Sequence, residues 1–124
     1  SSNGLNKSHN VGQNCMNWHN PGGSGSSKGV WQVAGSVYNQ TGTSASPNGT
    51  VQFWTGPNGT GTLKYTMKVD AKGNFYTSGS VALTAGLYPA VTGATATKYM
   101  SSPVTNGACN SCHTGTTTAR IWTN

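Results

Sequence analysis

The segment from Cys109 to His113 carries the most definite chemistry of the chain, because it reads Cys-Asn-Ser-Cys-His. Two cysteine thiols at this spacing can form thioethers with the two vinyl groups of one porphyrin. The histidine that follows directly can place a ring nitrogen on the iron as the proximal ligand. The spacing therefore predicts covalent attachment of haem c through Cys109, Cys112 and His113.

This motif resembles the haem-attachment site of the c-type cytochromes, and the resemblance covers residues 109–113. It implies electron transfer and no enzymatic activity, because two histidine ligands would leave no iron position for oxygen or peroxide. It also implies an exported protein, either secreted to the cell exterior or periplasmic, since bacterial c-type haem is attached outside the cytoplasm. The start Ser1-Ser2-Asn3-Gly4 is interpreted as a mature N-terminus. Expected partners are redox proteins or extracellular electron acceptors.

A second segment repeats the pattern with tryptophan in place of the second cysteine, from Cys15 to His19. One interpretation is a degenerate haem site, in which Cys15 gives a single thioether, His19 ligates iron and Trp18 lies flat against the macrocycle. The other interpretation is a free or intermolecular thiol at Cys15. The sequence thus predicts one haem c and leaves a second one open.

The histidine count limits the axial ligands. The chain has three histidines, and two bis-histidine haems would need a fourth ligand from elsewhere. We expect His19 and His9 to be axial candidates, with Met100 as the alternative donor. The missing ligand and the charge-poor surface also favour a homo-oligomer or filament, in which the N-terminal arm of one chain reaches the haem of the next.

Two other interpretations of the cysteines stay open. Cys15, Cys109 and Cys112 with one histidine match a Cys₃His zinc site. The protein would then be a non-redox structural or binding module. A redox disulfide between Cys109 and Cys112 is the less favoured case, because it normally needs a thioredoxin-like setting of alternating strands and helices.

The composition excludes several function classes. Only 6% of the residues are charged, and Asp70 is the sole acid, so hydrolysis by paired carboxylates is excluded within one chain. The net charge is +6, but the cations are scattered, which argues against a nucleic-acid groove. No stretch approaches the roughly 18 apolar residues that a membrane span needs.

The hydrophobic pattern divides the chain into an arm and a strand-rich body. Residues 1–29 lack periodicity and form an irregular arm that contributes haem contacts. From residue 30 apolar and polar residues alternate, most clearly over Leu63–Val69, and turn signals separate the short segments. We therefore predict an all-β fold, a small antiparallel β-sandwich over residues 30–124, with the haem-attachment loop at 109–113. Strands are expected near residues 31–38, 51–54, 63–69, 74–77 and 81–83, and later around Tyr99 and Ile121.

Part of this body resembles the carboxypeptidase-regulatory and transthyretin-like sandwich domains, which are also Ig-like in form. The resemblance rests on four pieces in order: 33–38, 47–51, the Asp-x-x-Gly-x-Phe turn at 70–75, and Gly-Leu-Tyr at 86–88. It implies a scaffold and no catalysis.

Overall fold

The computed structural model describes residues 1–124 as a small all-β fold, which confirms the predicted class at that level. Six strands form two antiparallel sheets, and the helical elements are single turns. The strands are β1 (Val33–Ser36), β2 (Thr50–Trp54), β3 (Leu63–Lys68), β4 (Asn74–Thr77), β5 (Tyr88–Thr92) and β6 (Thr97–Tyr99). One α-helical turn, α1, spans Cys109–Cys112, and 3₁₀ turns span Cys15–Asn17, Ser26–Lys28 and Pro57–Gly59. None of these helices has the length and apolar character of a membrane span.

The smaller sheet is the pair β1–β4, and the larger one has the order β3-β2-β5-β6. In the larger sheet Val51 pairs with Met67 on one side and Val91 on the other. The turn between β3 and β4 is closed by Asp70, whose Oδ1 accepts the backbone N–H groups of Lys72 at 2.9 Å and Asn74 at 3.0 Å. This self-closing turn is the conformation that an aspartate in the first position favours.

The apolar core draws on both sheets. Alternate residues of a strand point to opposite faces, and burial follows this period of two in β2 and β3, whereas all four residues of β1 are buried. Along β3 the burial increases toward the turn, from Leu63 at 39% exposed to Met67 at 6%. The ten residues of the core are Val33, Val37, Val51, Phe53, Met67, Val69, Phe75, Leu83, Leu87 and Val91.

Three elements differ from the prediction. No strand forms around Ile121, where Trp122 makes only an isolated bridge to Tyr38. No strand forms at residues 81–83; instead Leu83 enters the core, and the Ala82 N–H donates to the Tyr65 hydroxyl at 2.9 Å rather than to a neighbouring strand. The structure also forms β5, a strand that the sequence analysis does not include and whose Pro89 lacks the N–H that an interior strand normally donates. In the larger sheet Pro89 nevertheless pairs with Phe53 of β2.

The arm contains only turns, yet it is hydrogen-bonded to the body along its length. The Asn3 side chain donates to the Val69 carbonyl at 2.9 Å. The Ala71 N–H donates to the Leu5 carbonyl at 2.8 Å. Further along, the Trp31 N–H donates to the His19 carbonyl at 2.8 Å. These bonds attach the start of the arm to the turn before β4 and its later part to the chain before β1.

Candidate functional site

The turn α1, which carries two of the cysteines, is placed by the chain just before it. The Ala34 N–H donates to the Gly107 carbonyl at 2.9 Å, and Ala34 forms a parallel bridge with Ala108. A side chain on Gly107 would collide with the Gln32 carbonyl, so only glycine allows this approach. The pair of residues before Cys109 therefore extends the smaller sheet, and α1 starts directly from its edge.

The two thiols of α1 lie one helical turn apart, on the same side of the turn. Cys109 is half-buried and packs against the core, whereas Cys112 is exposed. Burial raises the pKa of the Cys109 thiol to about 12, and the nearby Cys112 adds a smaller effect in the same direction. All three cysteines of the chain are free thiols. One thiol is thus accessible and the other is held against the protein body.

His113 follows with a fixed ring orientation. Its backbone N–H donates to the Cys109 carbonyl at 3.1 Å, and its ring Nδ1 lies 2.6 Å from the Ala119 carbonyl oxygen. A carbonyl can only accept, so Nδ1 carries a proton, and in the neutral ring the lone pair is on Nε2. A backbone carbonyl bound to one ring nitrogen is the usual way to present the other nitrogen to a metal.

Residues 114–119 form a loop after His113, and Arg120, the only arginine, attaches the end of this loop to the body. Its Nη1 donates to the Gly42 carbonyl at 2.7 Å, and its guanidinium lies 4.5 Å from the Tyr38 ring centroid. These two contacts tie the loop that supplies the Ala119 carbonyl to the body.

The N-terminal motif has the same local geometry. Its 3₁₀ turn begins at Cys15, and the His19 N–H donates to the Cys15 carbonyl at 3.0 Å. The ring Nδ1 of His19 donates to the Gly29 carbonyl at 2.9 Å, so in the neutral ring the lone pair is on Nε2. Burial raises the pKa of the Cys15 thiol. Trp18, in the position of the second cysteine, is 39% exposed.

His19 belongs to a stack of three rings. Its imidazole lies 3.6 Å from the Trp31 ring, with an interplanar angle of 3°. Trp31 stacks in turn on Tyr76 at 4.3 Å. His19 is only 6% exposed, so the stack and the Gly29 hydrogen bond together allow its ring one orientation.

The N-terminal candidates line one cleft of about 290 Å³, close to the lower end of the usual size of a small-molecule site. Its walls are the rings of Trp18, Trp31, Phe75 and Tyr76, and Lys28 is its only lysine or arginine. Four sequence-derived candidates lie on this cleft: His9, Cys15, Trp18 and His19. Neither Cys109 nor Cys112 does.

The structure does not bring together the ligands of the alternative Cys₃His zinc site. No group of three histidine, cysteine or acidic side chains is placed to hold a metal ion. Met67 is buried in the core, as its alternation with Tyr65 and Val69 predicts. Met100 follows β6, half-buried, and its N–H donates to the Pro89 carbonyl at 3.0 Å.

Sequence reasoning missed the buried polar groups that hold the two motifs in place. Asn110, inside the motif at 109–113, accepts the Ser36 N–H at 3.1 Å and donates to the Gln13 carbonyl at 2.8 Å. The Ser36 hydroxyl donates to Asn74 at 2.6 Å, and Asn74 donates to Ser8 at 3.0 Å. The one available signal was an asparagine between two cysteines, which looks like any solvent-exposed position.

Comparison with known proteins gives no match: no family model fits the chain, and neither a curated protein nor a solved structure resembles it at a significant level. The function must therefore be argued from the site itself.

Proposed function

We propose that this chain is an extracytoplasmic c-type cytochrome that transfers electrons through a haem c held by Cys109, Cys112 and His113. When bound, the haem iron supplies one-electron oxidation and reduction. The single observation that carries the proposal is the arrangement of the motif at 109–113: two free thiols on one helical turn, followed by a histidine whose Nδ1–H is fixed to a backbone carbonyl.

The residues present fit a covalently held haem. Each thiol can add across one vinyl group, and the thiol proton goes to the vinyl carbon, so no oxidant is needed. Cys112 is exposed, whereas Cys109 is half-buried and packs against the core. The Ala119 carbonyl, by accepting the Nδ1–H of His113, raises the basicity of Nε2 as a ligand.

The scaffold suits a carrier rather than an enzyme. The core holds both sheets together behind the site, and we interpret the body as a transthyretin-like sandwich on which the attachment turn is mounted. The only carboxylate, on Asp70, is fully buried in a turn and accepts two backbone N–H groups. It is therefore not available as an acid or base next to His113, and the protein is not assigned an enzymatic activity.

The net positive charge of the protein favours negatively charged partners. With seven cationic residues and one buried acid, the surface is positive, which attracts acidic redox proteins or negatively charged extracellular acceptors. The proposal includes a homo-oligomer or filament, because three histidines are one short of the four that two bis-histidine haems need, and a second copy can supply the missing ligand. Electron microscopy over a range of concentrations tests this part; isolated particles at every concentration would contradict it.

Intact-mass measurement and an optical spectrum test the main proposal on protein produced with haem-attachment machinery. We expect at least one covalent haem, a Soret band, and sharp bands on reduction. The double variant Cys109→Ser, Cys112→Ser should lose the haem of this motif. The matched control Ser111→Ala changes an exposed residue between the same cysteines and should keep it. Colourless wild-type protein without a haem increment would refute the proposal and favour the non-redox module.

A further inference from the structure

The two cysteine-containing segments share three geometric features beyond their sequence pattern. In each, the histidine N–H donates to the carbonyl of the cysteine four residues earlier, at 3.0 Å for His19 and 3.1 Å for His113. In each, the ring Nδ1 donates to a carbonyl further along the chain. In each, the cysteine begins a single helical turn. The arm segment therefore shares these features with α1, although its turn is 3₁₀ and a tryptophan stands in place of the second cysteine.

The cleft beside the arm turn has the chemistry of a macrocycle site. His19 is more than nine-tenths buried and lines the cleft, and its Nε2 has no hydrogen-bond partner but is not sealed from solvent. Four aromatic rings share the lining with polar residues such as Ser8, Ser24 and Asn74, and Lys28 is the only lysine or arginine there, which complements carboxylates on a ligand. In the neutral ring this orientation leaves the Nε2 lone pair of His19 open to a ligand in the cleft.

We propose that this cleft takes a second haem, ligated by His19 and attached by a single thioether from Cys15, so that one chain carries two haems. The inference rests on the proposed function, because it needs a chain that is exported and loaded with haem. His9, the other histidine of the cleft, is assigned to the second axial position.

The attachment is redox-neutral. The Cys15 S–H adds across one vinyl group: an S–C bond forms, the S–H bond and the π bond break, and the proton ends on the terminal vinyl carbon. The other vinyl group stays unsaturated, because Trp18 has no thiol. Trp18 provides an apolar ring surface at the same place, which suits the flat face of the macrocycle.

The fold fixes the two sites relative to each other. Both turns pack against β1. Asn110, next to Cys109, donates to the Gln13 carbonyl, which lies just before Cys15. This bond is partly buried, so the two attachment turns belong to one rigid unit and electrons can pass between haems within a single chain.

The experiment counts covalent haems on the denatured, full-length protein. We expect two increments in the wild type, one in Cys15→Ser, and one in the double variant Cys109→Ser, Cys112→Ser. Met16→Leu, a change inside the arm turn that spares the thiol, should keep two. If Cys15→Ser fails to fold, the wild-type count and the Trp18→Cys variant still decide.

Trp18→Cys provides a gain-of-bond test. The restored second cysteine would consume the remaining vinyl group, so the α band of the reduced pyridine complex should move to shorter wavelength as conjugation is lost. His9→Ala should convert one of the two haems from a low-spin to a high-spin spectrum, because its sixth ligand is removed.

The two proposals fail differently. One increment in the wild type, lost only with Cys109 and Cys112, would overturn the second haem and leave the cytochrome assignment standing. No increment in any variant would overturn both. An unchanged α band in Trp18→Cys with two haems bound would refute the single-thioether attachment.

Discussion

Loss of the Asn110 side chain should lower the free energy of unfolding strongly for its size. From a buried position this side chain connects α1 to both β1 and the arm. It is 4% exposed, accepts the Ser36 N–H at 3.1 Å, and donates to the Gln13 carbonyl at 2.8 Å and to the Ser36 hydroxyl at 3.1 Å. Asn110→Ala leaves the Ser36 N–H, in a strand residue that is 1% exposed, without an acceptor. An unsatisfied buried group of this kind costs about 1–3 kcal/mol.

The other lost bonds are cheaper. The Ser36 hydroxyl keeps its bond to Asn74, and the Gln13 carbonyl is near solvent and can bind water. We therefore expect a total loss of about 2–3 kcal/mol in the free energy of unfolding. For a domain of this size that corresponds to a fall in Tm of roughly 10 °C. Helix propensity works the other way, since alanine favours α1 by about 0.5 kcal/mol over asparagine.

Denaturant unfolding followed by circular dichroism measures this loss. Asn17→Ala is the matched control, because Asn17 is exposed and its side chain only accepts an exposed bond from Asn14 at 3.1 Å. The control should change the free energy of unfolding by no more than about 0.5 kcal/mol. If Asn110→Ala is as stable as Asn17→Ala, then Asn110 does not hold the arm, β1 and α1 together, and the argument for a single rigid unit is wrong.

Three further predictions concern the packing and ionisation of α1. Gly35→Ala should destabilise the fold by about 1–3 kcal/mol in thermal unfolding. The new Cβ would lie 2.5 Å from the Phe75 ring and 3.0 Å from the Cys109 Cβ. An unchanged Tm would mean that α1 does not pack closely against β1. In haem-free protein at pH 8, iodoacetamide should alkylate the exposed Cys112 well before Cys109, whose pKa is raised by burial to about 12; equal rates by peptide mapping would contradict this. The same pKa makes the stability of haem-free protein depend on pH. Above the usual thiol pKa of 9.0 the unfolded chain loses the Cys109 proton and the folded chain keeps it, so stability is complete below that pH and falls as pH rises toward 12. Cys109→Ala should remove that part of the decline, and an identical pH profile in the variant would count against it.

Much of the fold could be predicted from local pattern. The alternation over Leu63–Val69 correctly identified β3 and placed Met67 and Val69 in the core. The alternation of apolar and polar residues is less informative where pairing with a neighbouring strand decides whether a segment forms a strand. Residues 81–83 alternate but have no neighbouring strand, and β5 is a strand despite Pro89 because β2 and β6 lie on either side of it.

The sequence alone supplied the chemical hypothesis, since the spacing of Cys109, Cys112 and His113 predicts which side chains could bind one ligand. The tertiary structure decided what surrounds those atoms. It stacked His19 on Trp31 and gave each motif histidine a carbonyl for its Nδ1–H. The carbonyl and ring partners of these histidines lie 6 to 12 residues away along the chain. A local sequence pattern does not identify them, because only tertiary folding brings them within contact distance.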